Sequence, residues 1–160
     1  MWLSNRRIIL AFGSAFLAGC ALQPANQMQS VDQILSSMTL DTPHDQHSFY
    51  FRNALEKRLG SSDPAPQYGL SYKLSTAASR SAIVTDGRSL RRQVEGTVTF
   101  MLRDLTNNAV VYTQNRNAFV GYSTNGSSAA TQAASRDAER RLMQQLADEV
   151  IRDLMFYGAA

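Results

Sequence analysis

Hydrophobic and polar residues alternate along two stretches in the middle of the chain. The first is "YGLSYKLSTA", residues 68–77, and the second is "LRRQVEGTVTFMLRD", residues 90–104. A period of two predicts strands with one buried face. The positions expected in the core are Tyr68, Leu70, Tyr72 and Leu74, and then Leu90, Val94, Val98, Phe100 and Leu102. "AVVYTQNRNAFVGY", residues 109–122, predicts a further strand whose buried face the pattern does not identify.

Two other stretches repeat apolar residues every three or four positions, which is typical of helices with one buried side. In "SFYFRNALEKRLG" the stripe includes Phe51 and Leu55, with Asp45 or Ser48 as the N-cap and Gly60 after the last turn.

A longer helix is predicted from about residue 128 to residue 156. Its apolar stripe is Ala134, Ala138, Leu142, Leu146, Val150 and Leu154, widened by Met143, Ala147, Ile151 and Met155. We expect this stripe to pack on a sheet, and the alternative is a partner-binding face. Ion pairs between residues four apart are expected on the polar side, namely Asp137 with Arg141 and Asp148 with Arg152.

"VDQILSSMTLD" predicts a short first strand near residues 31–40. The order strand, helix, three strands, helix predicts an α+β fold. Two helices would pack on one face of a four-stranded, mostly antiparallel sheet, as a two-layer sandwich. The other face would stay without a helix and carry Lys73, Arg91 and Arg103 among Thr, Ser, Gln and Glu side chains.

The start of the chain carries a short apolar run, from Ile8 to about Leu17, behind Arg6 and Arg7. It is too short to cross a bilayer but suits a secretory signal. Leu17-Ala18-Gly19-Cys20 resembles the lipobox of bacterial lipoproteins. That resemblance implies a signal peptide at 1–19, a lipidated Cys20 with a tether to residue 30, and one domain at 31–160. The alternatives are an ordinary buried cysteine or a secreted soluble protein. Ala21, by analogy with lipoprotein sorting, implies the outer membrane.

Charge and motifs exclude several function classes. Loss of Arg6 and Arg7 lowers the basic count from 16 to 14 against 13 acidic residues, so a general nucleic-acid binder is not expected. His44 and His47 lie near Asp41 and Asp45, but a solvated capping loop is preferred over a metal site there. The chain shows no nucleophile elbow and no glycine-rich phosphate loop. We therefore predict no enzyme activity, no cofactor and no metal.

The concentrated charge feature is "DGRSLRR", which places Arg88, Arg91 and Arg92 at a predicted hairpin tip. Guanidinium groups bind phosphate through paired, charge-assisted hydrogen bonds. A phosphate-bearing lipid would suit this cluster. The alternative is a solvated tip that protects a strand edge from aggregation.

Taken together, the lipobox, the element order, the basic start of the third strand and the last helix resemble the LptE family in its alphaproteobacterial form. In that helix the resemblance is carried by Asp137-Ala138, Arg141-Leu142, Leu146-Ala147-Asp148 and Ile151. It implies a non-enzymatic lipoprotein that plugs the outer-membrane β-barrel LptD, helps that barrel assemble and contacts lipopolysaccharide.

The resemblance also implies lipopolysaccharide contacts at Arg88, Arg91 or Arg92, with Lys73 and Arg103 as further candidates on the open face. A second family contact is expected near the start of the last helix. "STNGSSAAT" holds no lysine there, and Arg136 lies two turns further in. The competing classes are another lipoprotein scaffold, such as an activator of cell-wall synthesis, and an envelope enzyme.

Overall fold

The fold is described by a computed structural model over residues 31, 34–60, 65–82 and 91–158. The elements are β1 Met38–Leu40, α1 Gln46–Leu59, β2 Tyr68–Ala82, β3 Arg91–Asp104, β4 Val110–Ser123 and α2 Ser128–Gly158. The strands form one sheet in the order β1-β2-β3-β4. β1 is parallel to β2, and the other neighbours are antiparallel. The α+β prediction is confirmed.

The alternation in β2 and β3 gives the sheet one buried and one open face. Leu70 in β2 and Val98, Phe100 and Leu102 in β3 are almost completely buried, as predicted. From Tyr112 onward, β4 turns its even-numbered positions toward the core, and Val120 and Tyr122 are buried, which identifies the face that the sequence left open. Both helices cover this face, so the odd-numbered positions form the open face. Leu90 and the Asp86-Gly87 turn lie outside the described residues.

Helix α1 begins after Asp45, which is the N-cap of the two candidates, while Ser48 occupies the third position of the helix. The Asp45 carboxylate accepts a hydrogen bond from the Ser48 backbone N–H at 2.7 Å, and the Ser48 hydroxyl accepts one from the Asp45 N–H at 2.9 Å. This reciprocal pair satisfies two N–H groups that have no partner within the helix. At the other end, Gly60 has a φ of 78°, a conformation that suits glycine.

Helix α2 lies close to the sheet because Gly96 has no side chain. A Cβ built at Gly96 would lie 2.9 Å from Leu142 Cδ2 and 3.1 Å from Leu146 Cδ1. Both leucines are fully buried, together with most of the predicted stripe. The stripe therefore packs on the sheet, as expected. None of the helices in the described ranges is long and apolar enough to span a bilayer.

Some local predictions were wrong. The strand near 31–40 is confined to Met38–Leu40, while residues 34–36 are helical. Ile34 and Leu35 lie in this helical segment and pack against the core. Apolar residues spaced three or four positions apart suit a helix turn as well as the start of a strand, so the pattern did not separate the two. Met155 is exposed rather than part of the stripe.

One of the two ion pairs predicted within α2 is present. Asp137 pairs with Arg141 at 3.0 Å, as expected. Asp148 instead pairs with Arg58 of α1, and Arg152 pairs with Glu149 at 2.8 Å. A partner on the neighbouring helix replaces the local pair.

Candidate functional site

The candidate basic residues of the open face are spread along the sheet. Lys73 in β2 lies opposite Thr99 in β3, and Arg103 lies opposite Gly69. At about 3.3 Å per residue, Arg91 and Arg103 are roughly 40 Å apart along β3. Lys73 lies between them, roughly 13 Å from the level of Arg103. The structure therefore does not bring Lys73, Arg91 and Arg103 into one cluster.

The pair Arg91 and Arg92 stands at one end of the sheet. Arg91 lies opposite Ser123 and Arg92 opposite Tyr122 in β4, and both arginines are exposed. Because neighbouring residues of a strand point to opposite faces, Arg91 belongs to the open face and Arg92 to the helix side. Two guanidinium groups thus flank the same sheet end. Arg88 lies outside the described residues.

Arg103 stabilises the turn between β3 and β4. Its Nη1 donates to the backbone oxygen of Asn108 at 2.6 Å. Asn108 has a positive φ of 60°, which asparagine tolerates better than most residues, and the arginine holds this turn in place. Arg103 therefore has a structural role of its own, and its remaining N–H groups stay available for an acidic ligand.

The rest of the open face is polar and carries little negative charge. Asn115 Nδ2 donates to Thr99 Oγ1 at 2.9 Å, which links β4 to β3. Glu95 is the only acidic residue at an odd-numbered position of the described strands, and it accepts from Gln93 Nε2 at 2.7 Å. Phe119, which is 65% exposed, lies beside Glu95 at the edge. The face can meet an anionic or a mixed surface without burying many carboxylates.

The two histidines have different structural roles: His47 contacts the other helix, whereas the His44 backbone bonds to the start of α1. His47 Nε2 lies 3.3 Å from Glu139 Oε2 in α2, and the His44 N–H donates to Ser48 Oγ at 2.9 Å. Within the described ranges, no group of three or more His, Cys, Asp or Glu residues could hold a metal.

A shallow cleft of about 200 Å³ lies between the start of α1 and β2. It is smaller than typical ligand pockets, which run from about 300 Å³ upward. Burial raises the pKa of Tyr72, whose hydroxyl donates at 3.5 Å to the backbone oxygens of Asp41 and Ser48. Hydrogen bonds with Ser48 lower the pKa of Asp45. These contacts cap and join elements rather than form a base and nucleophile pair.

The sequence pattern did not predict an ion pair between β4 and α2, in which one partner is buried. Arg116 Nη2 donates to Asp153 Oδ1 at 2.8 Å, and the Asp153 side chain is only 10% exposed. The hydrogen bond to Asp153 raises the pKa of Arg116. Asp153 Oδ2 is buried without a partner among the described residues. The pair fixes α2 against the sheet, and no local spacing connects residues this far apart in sequence.

Comparison with known proteins adds a family and a set of similar folds. A family model described as "LptE: Lipopolysaccharide-assembly" matches residues 35–154. The comparison with curated proteins found no match.

Among solved structures, a protein described as a lipoprotein from Caulobacter crescentus CB15 is 21% identical, with a TM-score of 0.68, covering 82% of this chain and 98% of that one. Rare lipoprotein B from Shewanella oneidensis is 11% identical, with a TM-score of 0.57, covering 75% and 92%. A minor lipoprotein from Acinetobacter baumannii is 14% identical, with a TM-score of 0.53, covering 75% and 89%. At these identities the structures show a shared fold.

Proposed function

The chain belongs to the LptE family of lipopolysaccharide assembly, and from this premise we propose that it is an outer-membrane lipoprotein that plugs an LptD-like β-barrel. In this role it helps the barrel assemble and contacts lipopolysaccharide on its way to the outer leaflet. The observation that carries the proposal is the family match, which spans β1, both helices and the rest of the sheet.

The membrane attachment in this proposal depends on Cys20. Cleavage before Cys20 and acylation of its thiol would tether the domain to the periplasmic side of the outer membrane. Stable anchoring needs more than one acyl chain, which a triacylated terminus provides. Cys20 lies outside the described residues, so the support here is the sequence "LAGC" behind a short apolar run.

The form of the domain supports action by contact. Both helices cover one face of the sheet, and the other face presents a polar surface with one acidic side chain among its described strand positions. A protein inside a barrel lumen needs such a polar, hydrated surface, because the lumen of a large barrel is polar as well.

The lipopolysaccharide contact is proposed at the end of the sheet that carries Arg91 and Arg92. Two exposed guanidinium groups can bind the phosphates of the lipid with charge-assisted hydrogen bonds. Arg88 is included from the sequence. Lys73 and Arg103 are further candidates, but each lies too far along the sheet to bind the same phosphate as Arg91.

The arginine pair is tested by replacing both residues with Ala. Arg91→Ala/Arg92→Ala is expected to weaken binding to purified lipopolysaccharide at least about tenfold, since each charge-assisted bond contributes about 1.5–3 kcal/mol. Recovery with the barrel should stay unchanged. The matched control removes two exposed helix cations, Lys57→Ala/Arg141→Ala, and should bind normally. Equal binding by the test variant and the wild type would remove the pair from the function.

The barrel partner is tested by mild-detergent extraction from outer membranes. The proposal expects a large β-barrel protein to be purified with the chain. Recovery with a peptidoglycan synthase and without a barrel would contradict the plug and favour a different lipoprotein scaffold.

A further inference from the structure

The outer side of β4 forms an open edge of the sheet. β4 pairs with β3 on one side only, and no other described segment makes backbone bonds along its outer side. An unpaired edge of 14 residues, Val110–Ser123, offers alternating N–H and C=O groups to another extended chain.

This edge carries little of the usual protection against strand pairing. Natural edges carry charges, proline or short strands. β4 contains no proline, and its one charged residue, Arg116, pairs with Asp153 on the helix side and donates from Nη1 to the backbone oxygen of Asn115 at 3.1 Å. A bulge between Leu102 and Arg103 leaves Val111 as the extra residue, but pairing is regular from Tyr112 to Ser123. The opposite edge of the sheet is partly protected, because β1 pairs with the start of β2.

A groove lies beside this edge of the sheet. It has a volume of about 550 Å³ and lies between Asn117–Phe119 of β4 and the exposed side of α2. Phe119 is exposed at the strand wall, and Phe156, 69% exposed, lies one turn beyond Arg152 on α2. These two apolar side chains mark the surface where an incoming strand could bury an apolar residue.

The charges of the groove indicate the side chains of its occupant. Asp148, Glu149 and Arg152 line the α2 wall, and Arg58 of α1 already pairs with Asp148. Arg152 Nη1 donates to Glu149 Oε2 at 2.8 Å, so one carboxylate oxygen of Glu149 is not used by this pair. A basic side chain on the incoming strand could bind this oxygen of Glu149.

We propose that the β4 edge and this groove bind an extended segment of the barrel partner, which adds a fifth strand to the sheet. The segment would carry an apolar residue beside Phe119 and a basic residue beside Glu149. Main-chain hydrogen bonds would supply the affinity, and these two side chains would fix the register of the added strand. The identity of the partner rests on the proposed function, whereas the requirement for an extended backbone follows from the edge itself.

Hydrogen exchange at single residues tests the backbone pairing. In the free protein, the β4 amides that point away from β3 should exchange quickly. In the complex purified from outer membranes, the same amides between Tyr112 and Ser123 should slow at least about tenfold. A barrel complex in which they still exchange quickly would overturn the inference and leave the proposed function intact. Purification without any barrel would overturn both.

A charge at the edge supplies a second test. Phe119→Lys should lower recovery of the barrel at least about tenfold, because lysine at an edge opposes strand addition. Met101→Lys is the matched control, since Met101 is an exposed apolar residue on the same face but in the central strand β3. Both purified variants should melt like the wild type. Equal recovery with the two variants contradicts the proposal, as does a free protein that dimerises with its own outer β4 amides protected.

Discussion

The close approach of α2 to the sheet predicts that even alanine at position 96 destabilises the fold. The new Cβ would lie 2.9 Å from Leu142 Cδ2, closer than carbon atoms pack, and 3.1 Å from Leu146 Cδ1. Both leucines are fully buried, so neither can move into solvent. Overpacking of this kind costs about 1–3 kcal/mol. The clash outweighs the roughly 0.5–1 kcal/mol that alanine gains over glycine within a strand.

A double-mutant cycle separates the clash from other effects of the substitution. Leu142→Ala alone should cost about 2–5 kcal/mol by leaving a cavity. In the double variant the new methyl group at position 96 occupies part of that cavity. Gly96→Ala/Leu142→Ala should therefore be less destabilised than the sum of the single variants by at least about 0.5 kcal/mol. Leu146 keeps part of the clash, so the rescue is incomplete.

The assay is urea unfolding of the soluble domain, followed by circular dichroism, with the thermal midpoint as a check. Gly96→Ala should lower Tm by roughly 3–10 °C. The control is Gly121→Ala in β4, where the new Cβ would lie 3.8 Å from the Arg92 backbone oxygen, at ordinary contact distance. It should not destabilise the domain, and it is expected to gain roughly 0.5–1 kcal/mol because alanine suits a strand better than glycine. The reasoning is refuted if the two alanine variants unfold alike, or if the cycle is additive.

Two further predictions concern the core and the cap of α1. Leu146→Asp should prevent folding, because an unpaired buried charge costs several kcal/mol and the free energy of unfolding of a domain is only about 5–15 kcal/mol. Met155→Asp, at an exposed position of the same helix, should fold. A folded Leu146→Asp variant would contradict the assigned core. Asp45→Ala should cost about 1 kcal/mol at pH 7. Hydrogen bonds with Ser48 lower the folded pKa of Asp45, so this stabilisation is present above the unfolded pKa of about 3.9 and is lost as the pH falls through the folded pKa. Asp45→Asn keeps a cap that does not titrate, and a stability gap between wild type and Asp45→Ala that stays constant from pH 7 to about pH 2 would contradict the cap.

The faces of β2 and β3 could be predicted because their apolar residues alternate strictly. Val98, Phe100 and Leu102 all fall on the buried side, where sheet geometry requires them. In β4 the apolar residues do not alternate strictly, so the pattern does not identify the buried face. Phe119 is apolar but exposed, while Arg116 is charged but faces α2 and pairs with Asp153. The partner of Arg116 lies on α2, far away in the sequence. The pattern of β4 alone therefore does not reveal why Arg116 lies on the helix side.

The candidate site shows a similar division. The sequence correctly placed Lys73 and Arg91 on the open face, since strand parity follows directly from alternation. It did not show that they are separated by roughly 26 Å along the sheet, because that depends on the register between β2 and β3. Asp148 illustrates the same limit in α2, where Arg58 of the other helix replaces the local partner Arg152.

The most direct test of the account is native mass spectrometry of the protein extracted from outer membranes. The account predicts one copy of the chain bound to one barrel protein, with the chain beginning at a triacylated Cys20. A chain that retains residues 1–19 without acyl groups, or one released from membranes with no barrel attached, would contradict it.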